Sequence, residues 1–169
     1  GGPPFKNFRE LDREAMIDGL KMNMITPIEL VQSVIGGMVD RKFGRIVNIT
    51  SVSVKRPISG LDLSSGARAG LTAFLAGVAR DVAPSNVAIN NLLPGYFDTG
   101  RFRSGLSAWA NTQGTTEQAV RDTRSREVPA HRIGNPAEFG NACAFLCSSS
   151  AGYLIGQNIL LDGGLYASA

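Results

Sequence analysis

Three short apolar runs, RIVNIT at 45–50, VAINNLL at 87–93 and NILL at 158–161, are separated from one another by long stretches with helical spacing. This alternation constrains the fold more than any other feature. A strand, a helix and a further strand build a parallel βαβ unit, and its crossover is right-handed. The chain is therefore expected to be α/β, with three parallel strands adjacent in that order and helices on both faces. In such sheets ligands bind beyond the carboxyl ends of the strands. Function is expected at Thr50-Ser51, at Pro94 to Thr99 and at Asp162 to Gly164.

Between the strands the helical signals are clear. Residues 8–20 read as a short helix, and a longer one follows from about 24, with Ile28, Val31, Ile35, Met38 and Val39 at helical spacing. Pro27 fits the first turn of that helix or a kink in it. Leu63, Ala67, Leu71, Phe74, Leu75, Val78 and Val82 form the apolar stripe of the next helix. Asn135-Pro136-Ala137-Glu138 combines an N-cap, a proline at the first helical position and a glutamate two residues after it. The helix it opens is expected to reach about 148. Residues 100–132, polar and interspersed with Gly, Ser and Thr, are expected to form a mobile helical excursion, a lid. No repeat or linker divides the 169 residues, so one domain is expected.

Composition narrows the class of function. At 43% hydrophobic and 18% charged, the chain reads as globular rather than disordered or membrane-bound. No stretch reaches the ~18 consecutive apolar residues of a transmembrane helix. The opening GGPPFKNFRE lacks the basic and apolar segments of a signal peptide, so a cytoplasmic location is expected. Six arginines lie between 101 and 132 against Glu117, Asp122 and Glu127, a surplus that equals the net charge of +3 for the whole chain. No basic stripe with interleaved aromatics accompanies them, so a nucleic-acid partner is not expected. Cys143 and Cys147, four apart in a helical pattern, are read as two small apolar residues on a buried face. With a single histidine in the chain, no metal site is expected.

Ser51 lies just past the end of the first strand. Ser64 and Arg68 are four apart on the following helix, so they share a face with a rise of ~6 Å between them. A polar site at this strand end is one reading. A turn serine at 51 and a helix N-cap at 64 is the other. Tyr96, after Pro94-Gly95, is read as a packing or lid contact, and His131 as a surface or hinge residue.

From about 15 to 166 the chain resembles the C-terminal two-thirds of the short-chain dehydrogenase/reductase family. GRIVNITSVS resembles the strand that ends in the family's catalytic serine, which falls on Ser51. LKMNMITPIELVQS is similar to the helix bearing its active-site asparagine, which falls on Asn23. NVAINNLLPGYFDT resembles the strand and Pro-Gly cofactor loop, placing Pro94, Gly95 and Thr99 at the cofactor. HRIGNPAEFGNACAFLCSSSAGYLIGQNILLDGG is similar to the family's C-terminal segment almost throughout, and Tyr153 falls where the family often has a structural tyrosine. The resemblance implies the C-terminal part of a Rossmann-like, doubly wound parallel sheet.

Two departures shape what the resemblance implies. The family's glycine-rich turn TGxxxGxG, which brings backbone to the cofactor pyrophosphate, is absent, and GGPP resembles the sequence just after the family's fourth strand. The 169 residues are expected to be a partial NAD(P)-binding domain lacking the N-terminal βαβ half, and to bind no dinucleotide alone. The full-length protein is expected to use NAD or NADP. Where the family has its Tyr and Lys, this chain has Ser64 and Arg68. A serine hydroxyl is a far weaker acid than a phenol. Arg68 keeps the charge and can bond a cofactor ribose, but it does not deprotonate. The implied function is an oxidoreductase, 3-oxoacyl-carrier-protein reductase-like, acting on a small carbonyl or alcohol through Asn23, Ser51, Ser64 and Arg68. The alternatives are a nucleotide- or acyl-ligand-binding member without redox chemistry, and a non-redox enzyme of the halohydrin dehalogenase kind. The family's habit also implies a homo-oligomer, a dimer or tetramer.

Overall fold

Gly44–Ile49 (β1), Val87–Pro94 (β2) and Asn158–Leu161 (β3) form one sheet in the order β1-β2-β3, with both pairings parallel. The computed structural model describes residues 6–167; Gly1 to Phe5, with the GGPP run, and the last two residues lie outside the described residues. The expected strands, order and direction are all observed.

Alternation along each strand sends successive side chains to opposite faces. Ile46 and Ile89 pack with Val31, Leu71, Leu75 and Ala79, which come from α2 (Thr26–Asp40) and α3 (Asp62–Val82). Val47, Leu92 and Ile159 pack on the opposite face against Leu146 of α6 (Pro136–Cys147). Truncating a buried side chain such as Leu75 to alanine costs about 2–5 kcal/mol in a core of this kind.

A row of amides crosses the sheet between paired residues. Asn48 Nδ2 donates to Asn91 Oδ1 at 3.2 Å, and Asn91 Nδ2 donates to Asn158 Oδ1 at 2.8 Å. Next to it Asn90 donates to Leu154 O and accepts from Gln157 N–H. Asn90 and Asn91 are both buried, and these bonds satisfy amides that would otherwise be costly there.

The N-terminal helices differ from expectation. Residues Phe8–Glu10 form a separate 3-10 turn, and α1 starts only at Arg13, capped by Asp12, whose carboxylate accepts from Ala15 N–H. After α1 (Arg13–Leu20) the backbone stays helical through a π-helical segment, Lys21–Ile25, directly into α2. The expected two helices are one continuous rod with a wide turn in its middle. Pro27 supplies the reason: it has no N–H for the carbonyl four residues back, that of Asn23, and a π turn relieves the clash of its ring with that carbonyl.

Helix α3 starts at Asp62 with Leu61 as N-cap, so Ser64 lies inside the first turn and is not itself the cap. The excursion at 100–132 is helical as expected, with α4 (Gly100–Gln113) and α5 (Glu117–Glu127). They share a small core of Phe102, Leu106, Ala110 and Val120. Asp98 accepts from both Arg103 and Arg121, and Arg124 lies over the rings of Tyr96 and Trp109. The capping box at Asn135 forms as the sequence predicts: Asn135 Oδ1 accepts from Ala137 N–H, and Glu138 accepts from Asn135 N–H. The cysteines sit together on one side of α6, as their spacing requires, but that side is only partly buried: Cys143 is half-buried and Cys147 exposed. Among the described residues no helix is long and apolar enough to cross a membrane, and no three His, Cys, Asp or Glu side chains are grouped to hold a metal.

Candidate active site

Strand β1 delivers Thr50 and Ser51 to the carboxyl edge of the sheet. Ser51 is extended, and its hydroxyl accepts from Ser53 N–H at 3.1 Å, capping a 3-10 turn at Val52–Val54. The chain then turns into α3, whose first turn holds Ser64, 8% exposed. Arg68 follows one turn later on the same side, as the spacing requires. Its Nε donates to Ser64 Oγ at 3.2 Å, and its Nη1 donates to the carbonyl of Ile49 at 3.1 Å. Arg68 thus ties α3 to the last residue of β1. Burial, and secondarily the charge of Arg101, lower its pKa from the usual guanidinium value. It remains a cation at neutral pH.

Asn23 reaches the same place from the π segment. It is 4% exposed, and its Nδ2 donates to Gly19 O at 3.3 Å. Asn23 and Arg68 line one cleft of about 320 Å³ at the open edge of β1, with Pro27, Asn48 and Ile49 among its walls. Of the residues expected at the site, the structure joins Asn23, Arg68 and Ser64. Ser51 lies two residues beyond the carbonyl that Arg68 holds, but its hydroxyl turns to Ser53 and bonds to none of the other three. Thr50, Ser53 and Ser65 each carry a buried hydroxyl without a protein partner, and all three lie where β1 hands over to α3. Buried hydroxyls of this kind need water or a ligand. The serine-rich sequence there is a signal that was readable but not used.

Pro94, Gly95 and Thr99 lie at the end of the neighbouring strand. Gly95 N–H donates to Leu161 O, and its missing side chain lets the chain lie close to Asp162, whose Cβ would stand 2.7 Å from a Cβ added at Gly95. Thr99 caps α4 through its hydroxyl, which accepts from Phe102 N–H at 3.3 Å. None of the three touches Asn23 or Arg68 by hydrogen bond. A second cavity, of about 170 Å³, opens beside them between Tyr96, Arg132, Glu138 and Asp162.

Tyr96 packs against Phe102 at 5.9 Å and under Arg124. Burial raises its pKa above the ordinary phenol value, with Arg124 opposing only in part, so it is a packing residue and not a tuned acid. His131 sits in an exposed turn at φ 54°. Tyr153 is fully exposed and packs against nothing among the described residues.

The model of the enoyl-(acyl carrier protein) reductase family matches residues 2–166. An acetoacetyl-CoA reductase from Cupriavidus necator is 33% identical over 162 residues, which cover 96% of this chain and 60% of that protein. The 3-oxoacyl-[acyl-carrier-protein] reductase FabG of Vibrio cholerae is 31% identical, over 92% of this chain and 59% of its own length. The crystal structure of YwfH, an NADPH dependent reductase involved in bacilysin biosynthesis, superposes with a TM-score of 0.92 at 28% identity, over 100% of this chain and 65% of that one. The chain thus spans about 60% of the length of the curated relatives it matches. Matched along nearly all of its own length, it belongs to the short-chain dehydrogenase/reductase family.

Proposed function

We propose that the whole protein is an NAD(P)-dependent oxidoreductase that interconverts the carbonyl and alcohol of a small 3-oxoacyl compound. One observation carries the reading: Asn23, Ser64 and Arg68 meet at the carboxyl end of β1 in a chain whose relatives include acetoacetyl-CoA and 3-oxoacyl-carrier-protein reductases. A dinucleotide fits these residues. Arg68 has Nη2 uncommitted, and the chain between β1 and α3 carries buried hydroxyls without a protein partner, which suits a ribose with its own donors and acceptors. Arg68 would hold the ribose, while Pro94, Gly95 and Thr99 would border the nicotinamide. The cofactor, when bound, supplies or accepts the hydride. Asn23 and Ser51 orient the carbonyl and a water, and the excursion at 100–132 acts as the lid that excludes solvent.

The proton is the difficult step. In this reading Ser64 stands in the place of the family's tyrosine and Arg68 in that of its lysine. Donation from Arg68 to Ser64 Oγ favours the alkoxide, but one cation cannot bring an aliphatic hydroxyl near neutrality. Tyr96, with its raised pKa and its place in the lid core, is no substitute. These two points favour a second reading, a member that binds nucleotide and ligand with little redox turnover.

Titration of the full-length protein with NADH and NADPH, followed by assay on acetoacetyl thioesters, decides between them. Binding with turnover supports the reductase, binding without turnover the second reading, and no binding of either dinucleotide overturns both. Ser64→Tyr combined with Arg68→Lys is expected to raise turnover, within the ~10²–10⁴-fold that a well-matched general acid contributes. A folded, cofactor-binding double variant with no gain would show that acidity at position 64 does not limit the reaction.

A further inference from the structure

Helix α6 ends on a pair of thiols. Cys143 and Cys147 are four residues apart near its C-terminal end, so they stand one above the other on one side of the helix. Both are free. Cys143 packs against the cluster of Leu92, Leu146 and Ala151, and Cys147 is open to solvent. α6 covers the face of the sheet opposite α3, so the pair is separate from the cleft of Asn23 and Arg68.

The last turn of a helix often frays, but this one is tied down. Ser148 donates to Phe145 O through its N–H, at 3.0 Å, and through its Oγ, at 2.7 Å. Arg45 Nε donates to Ser148 O at 3.1 Å. Phe139, Ala142 and Leu146 hold the rest of the helix on the sheet. The two sulfurs are thus carried on a fixed base and meet by side-chain rotation alone.

Lengths decide what the pair can do. Residues four apart on a helix hold their Cβ atoms about 5–6 Å apart. A disulfide needs about 3.5–4.5 Å. Closing one would draw the Cβ atoms together by about 1–2 Å, against the bonds that fix the last turn. Two metal–sulfur bonds of about 2.3 Å in line set the sulfurs about 4.6 Å apart, which an intact helix allows. Neither thiol is an activated nucleophile. Thiolates form at helix N-termini or beside cations, whereas Cys147 ends a helix whose last turn has no basic residue. Burial, and after it the Cys143 thiol, push the Cys147 thiol up. Among the described residues no His, Asp or Glu makes a group of three with the cysteines. Zinc, which takes four ligands in structural sites, is therefore not served. A soft cation that accepts two sulfurs is.

We propose that Cys143 and Cys147 form a two-coordinate site for a soft monovalent cation of the copper(I) kind. Each S–H gives its proton to solvent, two sulfur–copper bonds form, and no electron is transferred.

The full-length protein, reduced and kept under anaerobic conditions, is titrated with copper(I) against a chromophoric copper(I) chelator. Cys147→Ser, Cys143→Ala and the double variant Asn141→Cys with Cys147→Ser are titrated beside it. The double variant keeps the number of thiols but sets them two apart, on different sides of the helix. Circular dichroism checks folding; Asn141 and Cys147 are exposed, so Cys147→Ser and the double variant decide the matter even if Cys143→Ala unfolds. Wild type is expected to take up one equivalent more than Cys147→Ser. It should hold that equivalent about 100-fold or more tightly than any variant holds copper, the gain that two linked ligands give. Zinc should not be retained. Equal copper uptake by wild type and Cys147→Ser overturns the proposal, as does equal uptake by the double variant. Zinc held as tightly as copper also overturns it, since further ligands would then complete the site. A Cys143–Cys147 disulfide formed readily with diamide in the folded protein does so too, because the helix would then bring the thiols closer than its spacing allows.

Discussion

Gly95, directly after β2, lies against Asp162, directly after β3, beside the second cavity. A Cβ placed there would lie 2.7 Å from Asp162 Cβ and 2.8 Å from Asp162 Cα. The second atom is backbone, so no rotamer change can relieve the contact. Carbon atoms sit comfortably at about 3.5–4.0 Å. Alanine at 95 must therefore push the end of β2 from β3 by about 1 Å, against the Gly95 N–H to Leu161 O bond at 3.0 Å. Overpacking of this kind costs about 1–3 kcal/mol. For a domain of this size each kcal/mol moves Tm by about 2–4 °C, so Gly95→Ala should lower Tm by about 2–12 °C. Gly140 provides the control. It lies in the middle of α6, exposed, and a Cβ there would meet nothing within 4 Å. Alanine at 140 relieves only the entropy cost of helical glycine, about 0.5–1 kcal/mol, and should raise Tm by about 1–4 °C. Thermal melts followed by circular dichroism, with urea titration as a second measure, read both. If the two substitutions move Tm in the same direction, or Gly95→Ala stays within about 0.5 kcal/mol of wild type, the close approach at Asp162 does not constrain the fold.

The Arg132 guanidinium, and after it the Asn135 N–H, hold the Glu138 carboxyl at about 2, well below its ordinary 4.5. A depressed carboxylate stabilises the folded state above its unfolded pKa and loses that effect as pH falls through the folded one. The Tm difference between wild type and Glu138→Gln should thus be constant from pH 6 to 8 and shrink between pH 4.5 and 2; a difference unchanged at pH 2 would refute the pairing. Leu30 (63% exposed), Val34 and Phe74 form apolar surface on α2 and α3. We expect self-association through it, with light scattering giving a mass above 17.9 kDa and Leu30→Lys shifting the protein toward monomer. A wild-type monomer at high concentration would refute that.

How much of this was legible depends on whether the cause was local. The strands were read to within about a residue because each is an apolar run closed by a turn residue or a proline, as with Pro94. The start of α6 was readable because its capping residues lie within four positions. The π segment at 21–25 was not. Its cause, Pro27, was visible, but a proline fits a helix start as well as a widened turn, and the choice between them depends on packing against α3. At the site, spacing placed Ser64 and Arg68 on one face, and the family resemblance added Asn23. It could not show that Arg68 bonds the Ile49 carbonyl, 19 residues away, or that Ser51 turns to its own loop.

The amides that cross the sheet bear on how the chain reaches this state. Asn48, Asn91 and Asn158 are separated by 43 and 67 residues, so their bonds form only after two long loops have closed. Contacts of such separation come late and fold slowly. Apolar strands alone would tolerate sliding, since valine, isoleucine and leucine pack nearly as well two residues out of step. Amides do not: a slipped strand leaves buried donors and acceptors unpaired, at about 1–3 kcal/mol each. The row therefore works as a check on strand alignment applied near the end of folding. Collapsed chains with the wrong alignment are held in shallow traps that they can leave, and the aligned sheet alone closes the bonds on both sides of Asn91.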